Sequence, residues 1–237
     1  MRLFGVVFLL SLSLTVFSQN DQVLTISEAF QFFKEVSEQY ESGLSFHTRM
    51  RSYAGEVSTV VQDEFVGEAE VSGKSSYMEL PGCSVYSSDA WIAQVMDDEK
   101  RIYVSNASSN SANFNFEKQY NEFLSNASSI TLKTTTNGCK NVTLNLNEPC
   151  QYERVEYELD AMGRLAKMTT ISRLQAPLNW EEDSDQVFKC RIVLDYFNYK
   201  KLEQTIHVLS DLIYSENGIW RGKGIYKDYE IIELKRY

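Results

Sequence analysis

The alternation of apolar and polar residues is the feature that most constrains this sequence. It runs through residues 44–51 and continues on the odd positions of 57–71. A period of two is typical of half-buried antiparallel strands. Turn residues separate further short segments of this kind, at 75–80, 83–87, 90–96, 100–105, 130–135, 141–146, 152–159, 164–172, 187–197, 204–209 and 225–234. The pattern predicts about ten antiparallel strands in one sheet, and a sheet of that size curls.

Two segments have the three- and four-residue spacing of helices instead. The first spans 25–42, where Thr25 and Glu28 have the spacing of a capping box. Its apolar residues fall on one face. The second is a short helix over 114–124. The predicted fold class is therefore α+β, mainly antiparallel β, with the first helix on the concave face of the sheet.

The first eighteen residues are typical of a secretory signal peptide. Met1 and Arg2 give a basic start, an apolar stretch runs over 3–17, and small residues precede a cleavage site between Ser18 and Gln19. The alternative is a membrane anchor, but the stretch is shorter than the ~20 residues that span a bilayer. We expect residues 19–237 to form a single exported domain.

Export also bears on the four cysteines, because an oxidising compartment favours disulfides. Three pairings are possible. Cys139 and Cys150 flank an alternating run of seven residues (141–147), so a disulfide across a short hairpin is the preferred prediction. Cys83 and Cys190 would then form the remaining pair.

Composition and motifs exclude several functions. The net charge of −10 argues against nucleic acid as a partner. Two histidines and no Cys-x-x-Cys pair give no zinc site, and the acidic run at 181–185 lacks the spacing of a calcium loop. No nucleophile elbow and no phosphate-binding glycine loop is present. We therefore expect a non-enzymatic protein without metal or cofactor.

Apolar residues of the first helix and the strands are the candidate ligand-binding residues. They would face each other across the concave side of the sheet, and they are Phe30, Phe33, Phe46, Met50, Val61, Phe65, Met78, Leu80, Ile92 and Met96. Two interpretations stay open. These side chains either fill an ordinary core or line a groove for an acyl chain, which the flexible methionines would suit.

The order of the elements resembles the LolA-like lipoprotein carrier family of the periplasm. The resemblance rests on the segments LSFHTRMRSY, STVVQDEFVGEAEVSGKSSYMELPG and VYSSDAWIAQVMDDEKRIYVSN, with YELDAMGRLAKM and YKDYEIIEL further on. The corresponding positions are Gly67, Val71, Gly73, Tyr77, Leu80-Pro81-Gly82, Ser88-Asp89, Trp91 and Tyr103-Val104. The motifs are short, and their order along most of the chain carries the likeness.

This resemblance implies a half-open β-barrel with a helical lid over a hydrophobic cavity. It implies a monomeric periplasmic carrier that holds an acyl chain or an acylated lipoprotein on the way to the outer membrane. The competing hypothesis is an interaction module of the cell envelope, with a packed interior and a protein partner. Bound lipid would distinguish the two.

Overall fold

A computed structural model of the chain describes residues 21–106, 116–177, 187–203 and 207–234. The helices are α1 (Ile26–Glu41), α2 (Phe116–Ser125) and α3 (Leu209–Leu212). The first strands are β1 (Asp21–Val23), β2 (Leu44–Ala54), β3 (Val61–Ser72), β4 (Ser75–Leu80), β5 (Cys83–Ser87), β6 (Trp91–Met96) and β7 (Arg101–Asn106). The later strands are β8 (Ala127–Thr134), β9 (Lys140–Leu146), β10 (Tyr152–Leu159), β11 (Leu165–Pro177), β12 (Val187–Lys201), β13 (Ile213–Glu216), β14 (Ile219–Gly222) and β15 (Glu230–Glu233).

Thirteen of these strands form one sheet, in the order β1-β8-β9-β10-β11-β12-β2-β3-β4-β5-β6-β7-β15. Neighbouring strands are antiparallel, except that β15 runs parallel to β7. The outermost strands β1 and β15 do not pair with each other in the described residues, so the curled sheet stays open. The predicted α+β class with mainly antiparallel strands is confirmed, and no closed barrel forms among the described residues.

Helix α1 begins with the predicted capping box. The Thr25 hydroxyl accepts a hydrogen bond from the Glu28 backbone N–H at 3.3 Å, and the Glu28 carboxylate accepts one from the Thr25 N–H at 2.8 Å. These bonds satisfy backbone groups that a helix start leaves unpaired. Three- and four-residue spacing then puts the buried side chains of Ala29, Phe33, Val36 and Tyr40 on one face.

The main core lies between this face of α1, helix α2 and one face of the sheet, which we call the α1 side. Strands β8 to β12, together with β2 and β3, supply its apolar side chains. Phe46 on β2 is 1% exposed, and its ring lies 6.2 Å from that of Tyr40 on α1. The alternation of the strands therefore turns one apolar set toward the helices, as the sequence predicts.

A second core lies on the opposite face of the sheet, over β5 to β7. Here α3 and the β13–β14 hairpin cover the side chains of Tyr86, Ala93, Val95, Ile102 and Val104. Leu212 and Ile213 are the fully buried contacts from the covering segment. The sheet is thus covered on one face at one end and on the other face at the other end.

The predicted strands near the C-terminus were wrong in part. Leu209–Leu212 form one helical turn rather than the end of a strand at 204–209, and 204–206 lie outside the described residues. The predicted strand 225–234 shortens to β15, after a 3-10 turn at Gly224–Tyr226. The helical turn at 209–212 places Leu212, which is 1% exposed, in the second core directly before the β13–β14 hairpin.

Two segments singled out in the sequence lie outside the described residues, namely the predicted signal peptide at 1–18 and the acidic run at 181–185. The predicted disulfide between Cys139 and Cys150 is wrong, because the residues between them form one strand, β9, rather than a hairpin. The two thiols lie beyond its opposite ends, roughly 20 Å apart, and a disulfide cannot bridge that distance. Among the described helices, none combines the length and the hydropathy needed to cross a bilayer.

Candidate functional site

One row of apolar side chains crosses seven strands on the α1 side. The strand registers place its members opposite one another in the order Leu132, Val142, Tyr157, Met168, Leu194, Met50 and Phe65. Val142, Tyr157 and Met168 are buried, Leu194 and Met50 are half-buried, and Phe65 is 43% exposed. The row therefore passes from the covered core into the open.

Helix α1 covers only the first part of this row. The Phe33 ring lies 4.9 Å from that of Tyr157 and stacks at 5.2 Å on Tyr120 of α2. Rings at these distances are in van der Waals contact, so the interior beneath this part of α1 is packed. Beyond Met168 the row is no longer fully buried.

We call the uncovered part the apolar strip. It consists of half-buried or exposed side chains on the α1 side of four adjacent strands, namely Leu194, Met50, Phe65, Met78 and Leu80. Leu194 packs against the main core, so the strip and the core are continuous. Contiguous apolar side chains that stay exposed to solvent are typical of an interaction or ligand-binding site.

The ten candidate residues divide by burial. Phe33, Phe46 and Ile92 are buried in the structure, while Met50, Met78, Leu80 and Met96 are half-buried. Phe30, on α1, is 41% exposed, and its ring lies 6.2 Å from that of Tyr120. The structure brings Met50, Phe65, Met78 and Leu80 together in the strip, and it places Phe33 and Phe46 in the packed core.

Val61 lies outside the strip. A β-bulge between Ser52 and Tyr53 shifts the register, so that Val61 lies opposite Tyr53. The Tyr53 ring is on the other face of the sheet, where the Arg191 guanidinium stacks 4.2 Å from its centre. A one-residue shift reverses the face on which a side chain lies, and the sequence alternation alone does not show the bulge.

The C-terminal end of α1 is held by a network of hydroxyl groups. The hydroxyls of Tyr40 and Tyr199 lie 3.0 Å apart, and the Tyr40 hydroxyl accepts a hydrogen bond from the Leu165 N–H at 3.2 Å. The Tyr199 hydroxyl donates to the Leu165 carbonyl at 2.5 Å. Burial raises the pKa of both tyrosines, so the network is neutral near pH 7.

The Tyr157 hydroxyl differs from these two. Its side chain is buried beneath α1, and the hydroxyl has no hydrogen-bond partner among the described residues. Burial raises the pKa of this group well above its usual value. A buried hydroxyl without a partner lowers the free energy of unfolding, and Tyr157 places such an unsatisfied polar group in an otherwise apolar row.

Three pockets lie away from α1. One, of about 550 Å³, lies where β4 ends beside β3 and is lined by Val66, Glu79 and Leu80 among others. A second, of about 230 Å³, contains both histidines, and a third, of about 450 Å³, lies beside the β13–β14 hairpin. In the second, the His207 Nδ1 lies 2.9 Å from the Glu70 carboxylate. No group of three or more metal-ligating side chains is arranged for an ion in the described part of the chain.

Among the residues of this row that were not predicted from the sequence, Leu194 and Tyr157 matter most to the site. Leu194 belongs to β12, where apolar residues occur on both faces because Val193 is buried on the other side. Without clean alternation the sequence does not show which of the two turns toward α1. Tyr157 was missed for a different reason, since a hydroxyl without a partner is visible only in three dimensions.

Comparison with known proteins places the fold but not the activity. No family model matches the chain, and no curated protein matches it. A crystal structure of an uncharacterised conserved protein from Thermus thermophilus is similar with a TM-score of 0.52 at 9% identity, over 87% of this chain and 99% of that chain. This likeness shows a shared fold.

Two further structures are more distant. A DUF1329 family protein from Desulfovibrio piger has a TM-score of 0.35 at 15% identity, over 74% of this chain and 92% of that chain. A candidate outer membrane lipoprotein-sorting protein domain from Vibrio parahaemolyticus has a TM-score of 0.36 at 10% identity, over 76% of this chain and 95% of that chain. At these TM-scores neither supports an inference about this chain.

Proposed function

We propose that this protein is a carrier that binds an acyl chain, or an acylated lipoprotein, on the apolar strip. The proposal rests on the row of apolar side chains, which is buried at Met168 and then becomes accessible through Leu194 and Met50 to Phe65. Contiguous apolar surface that stays uncovered marks a site of interaction, and a ligand-binding groove is one such site. The mechanism needs no covalent chemistry and no cofactor.

The chemistry of the strip fits an alkyl chain. Each methylene that leaves water contributes about 0.8 kcal/mol to binding. Met50 and Met78 have flexible side chains that adapt to chains of different length. All five side chains of the strip are uncharged, and the carboxylate of Asp63, which lies beside Phe65 on the same face, accepts a hydrogen bond from the Ser52 hydroxyl at 3.0 Å.

Helix α1 acts as the lid in this proposal. An acyl chain can lie on the strip without any movement of the helix, because Phe65 and Met50 are already accessible. A longer chain that continues beneath α1 has to displace the Phe33 ring from Tyr157. The hydrogen bond between Tyr40 and Tyr199 holds the C-terminal end of the helix and opposes that movement.

Export belongs to the same proposal. Residues 1–18 act as the signal peptide, and the carrier works in the periplasm as a monomer. Because strand β9 separates Cys139 from Cys150, peptide mapping of the exported protein without reductant should recover these two residues in separate products.

The experiment compares two methionine-to-aspartate variants. Met50→Asp places a charge in the strip, while Met162→Asp changes a methionine that is 68% exposed in the turn between β10 and β11 and serves as the matched control. We expect a fluorescent fatty acid to bind the wild type and Met162→Asp alike. Its affinity for Met50→Asp should fall by at least about tenfold, since a charge in an apolar site is strongly unfavourable.

Native mass spectrometry provides the second readout. Purified wild-type protein should carry lipid mass that Met50→Asp lacks. Equal lipid in both variants would refute the assignment of the strip.

The packed interior beneath α1 favours one alternative, an envelope interaction module. The contacts of Phe33 with Tyr120 and Tyr157 leave no cavity at that point. Under this alternative the wild type has a bare mass and binds no fatty acid at all, and the protein captures a protein partner instead.

A further inference from the structure

Strand β3 is longer than its neighbour β4, which leaves part of one edge without a partner strand. Strand β4 pairs with β3 from Ser72 back to Glu68, and no described strand pairs with residues 61–67 on that side. On the other side the same residues pair with β2. The side chains of residues 61–66 are all exposed. An open edge of this kind is a template for a further strand.

The register shows which backbone groups face outward. Ser72 and Ser75 flank a two-residue turn, so this pair exchanges both of its backbone hydrogen bonds. The backbone groups of a strand alternate in direction, so Glu70, Glu68 and then Val66 and Glu64 direct their N–H and C=O groups to the same edge, as far as the bulge at Gln62. We call Glu64 and Val66 the free edge.

Gly67 marks the point where β4 leaves this edge. A Cβ atom at Gly67 would lie 2.3 Å from the Glu79 carbonyl oxygen and 2.8 Å from Leu80 Cδ2. The end of β4 therefore closes tightly over Gly67, and the pocket of about 550 Å³ opens beside it. Val66 and Gly67 both line this pocket, so it adjoins the free edge.

The charges on the free edge define its occupant. Glu64 and Glu68 lie on the face opposite to the α1 side, and the Glu68 side chain is 70% exposed, with its carboxylate 3.7 Å from His47 Nε2. Arg51, across from Glu64 on β2, is already paired with Asp195, so the carboxylate of Glu64 stays available to a new partner. Phe65 lies on the α1 side, 43% exposed. A second copy of this chain would bring the same carboxylates against each other, and each copy carries a net charge of −10. An extended segment with basic residues facing Glu64 and apolar residues beside Phe65 complements both faces.

We propose that the free edge binds an extended, basic segment of a partner protein by adding it to the sheet as a strand. Basic and apolar side chains alternate in this segment. The basic residues face Glu64 and Glu68, and their backbone N–H and C=O groups pair with the free edge. This binding uses backbone groups at the edge of β3, whereas lipid binding uses the side chains of the apolar strip, and only Phe65 contributes to both surfaces.

The test uses a labelled peptide of about seven residues that alternates lysine and valine. Two versions carry N-methyl groups, either on the lysine amides, which face β3, or on the valine amides, which face away. Fluorescence anisotropy should show binding of the unmethylated and valine-methylated peptides. Methylation of the lysine amides should weaken binding by at least about tenfold, because it removes several backbone hydrogen bonds.

Protein variants test the same edge from the other side. Val66→Pro removes an outward N–H without breaking the pairing to β2, since proline is tolerated at an edge. Val66→Thr keeps the N–H and is the matched control. We expect the peptide to bind Val66→Thr like the wild type and Val66→Pro at least about tenfold more weakly. Circular dichroism checks that both variants fold.

Three results would overturn the proposal. Wild-type protein could bind neither the unmethylated nor the valine-methylated peptide, or it could bind the lysine-methylated peptide equally well. Sedimentation could instead show a dimer that Val66→Pro abolishes, which would assign the edge to a second copy. Should Val66→Pro not fold, the two methylated peptides on the wild type decide the matter alone. Fatty-acid binding is measured separately, so loss of one activity does not imply loss of the other.

Discussion

Phe46 and Phe65 give a direct test of how far the core extends. Both side chains lie on the α1 side, on the adjacent strands β2 and β3. Phe46 is 1% exposed, and its ring lies 5.0 Å from that of Tyr199 and 5.9 Å from that of Tyr196. Phe65 is 43% exposed. Replacing each with alanine therefore removes the same atoms from very different surroundings.

The expected losses differ severalfold. Phe46→Ala leaves a cavity among aromatic rings, and a fully buried phenylalanine costs about 3–5 kcal/mol when it is truncated. Phe65→Ala removes a side chain that is half in water and leaves no closed cavity. Its cost is about 1 kcal/mol, or roughly half of the transfer free energy of a buried side chain.

Urea unfolding measures both values. We expect a slope of about 2 kcal/mol per molar urea, so Phe46→Ala should lower the midpoint by about 2 M and Phe65→Ala by about 0.5 M. Tryptophan fluorescence and far-ultraviolet circular dichroism should give coincident transitions. Equal shifts of the two midpoints would show that the strip is covered, and the reasoning from burial would fail. In the lipid assay only Phe65→Ala should reduce affinity while the protein remains fully folded.

Four further substitutions have defined outcomes. Thr25→Ala should cost about 1 kcal/mol of unfolding free energy. The backbone and side-chain hydrogen bonds of Thr25 lower the pKa of Glu28 in the folded state. The ionised Glu28 carboxylate therefore stabilises the fold at neutral pH, and this contribution is lost as pH falls through the lowered pKa. The thermal unfolding temperatures of Glu28→Gln and wild type should differ at neutral pH and converge in acid. Gly67→Ala forces a Cβ to within 2.3 Å of a carbonyl oxygen of β4 and should cost about 1–3 kcal/mol in urea. Tyr157→Phe removes a buried hydroxyl that has no partner among the described residues, so unfolding should show equal or higher stability, and a clear loss would reveal a hidden partner.

Local patterns made much of the fold predictable. The capping box at Thr25 and the apolar spacing after it locate α1 to within one residue at each end. Strands β4 and β5 have the predicted bounds, because turn residues mark both ends of each. In such segments the signal lies within a few residues of the structure that it specifies.

The site was less predictable, because alternation shows which residues share a face and not what covers that face. Met50 and Phe46 have the same pattern in the sequence, yet α1 covers only Phe46. The position of α1 depends on contacts such as that of Phe33 with Tyr157, which are far apart in the sequence. The bulge that removes Val61 from the strip is equally invisible, since it depends on the pairing of two strands.

The parallel pairing of β15 with β7 has a consequence for the order in which the protein is made. The Arg101 side chain on β7 donates a hydrogen bond to the Glu230 carboxylate on β15, 129 residues further along the chain. At about 5–20 residues per second, a ribosome needs roughly 6–26 s to deliver the partner strand after β7. During that interval β7 is an open edge, and Ile102 and Val104 lack the C-terminal segment that buries them. Until synthesis has passed Glu233, the edge of β7 therefore stays open to pairing with another strand.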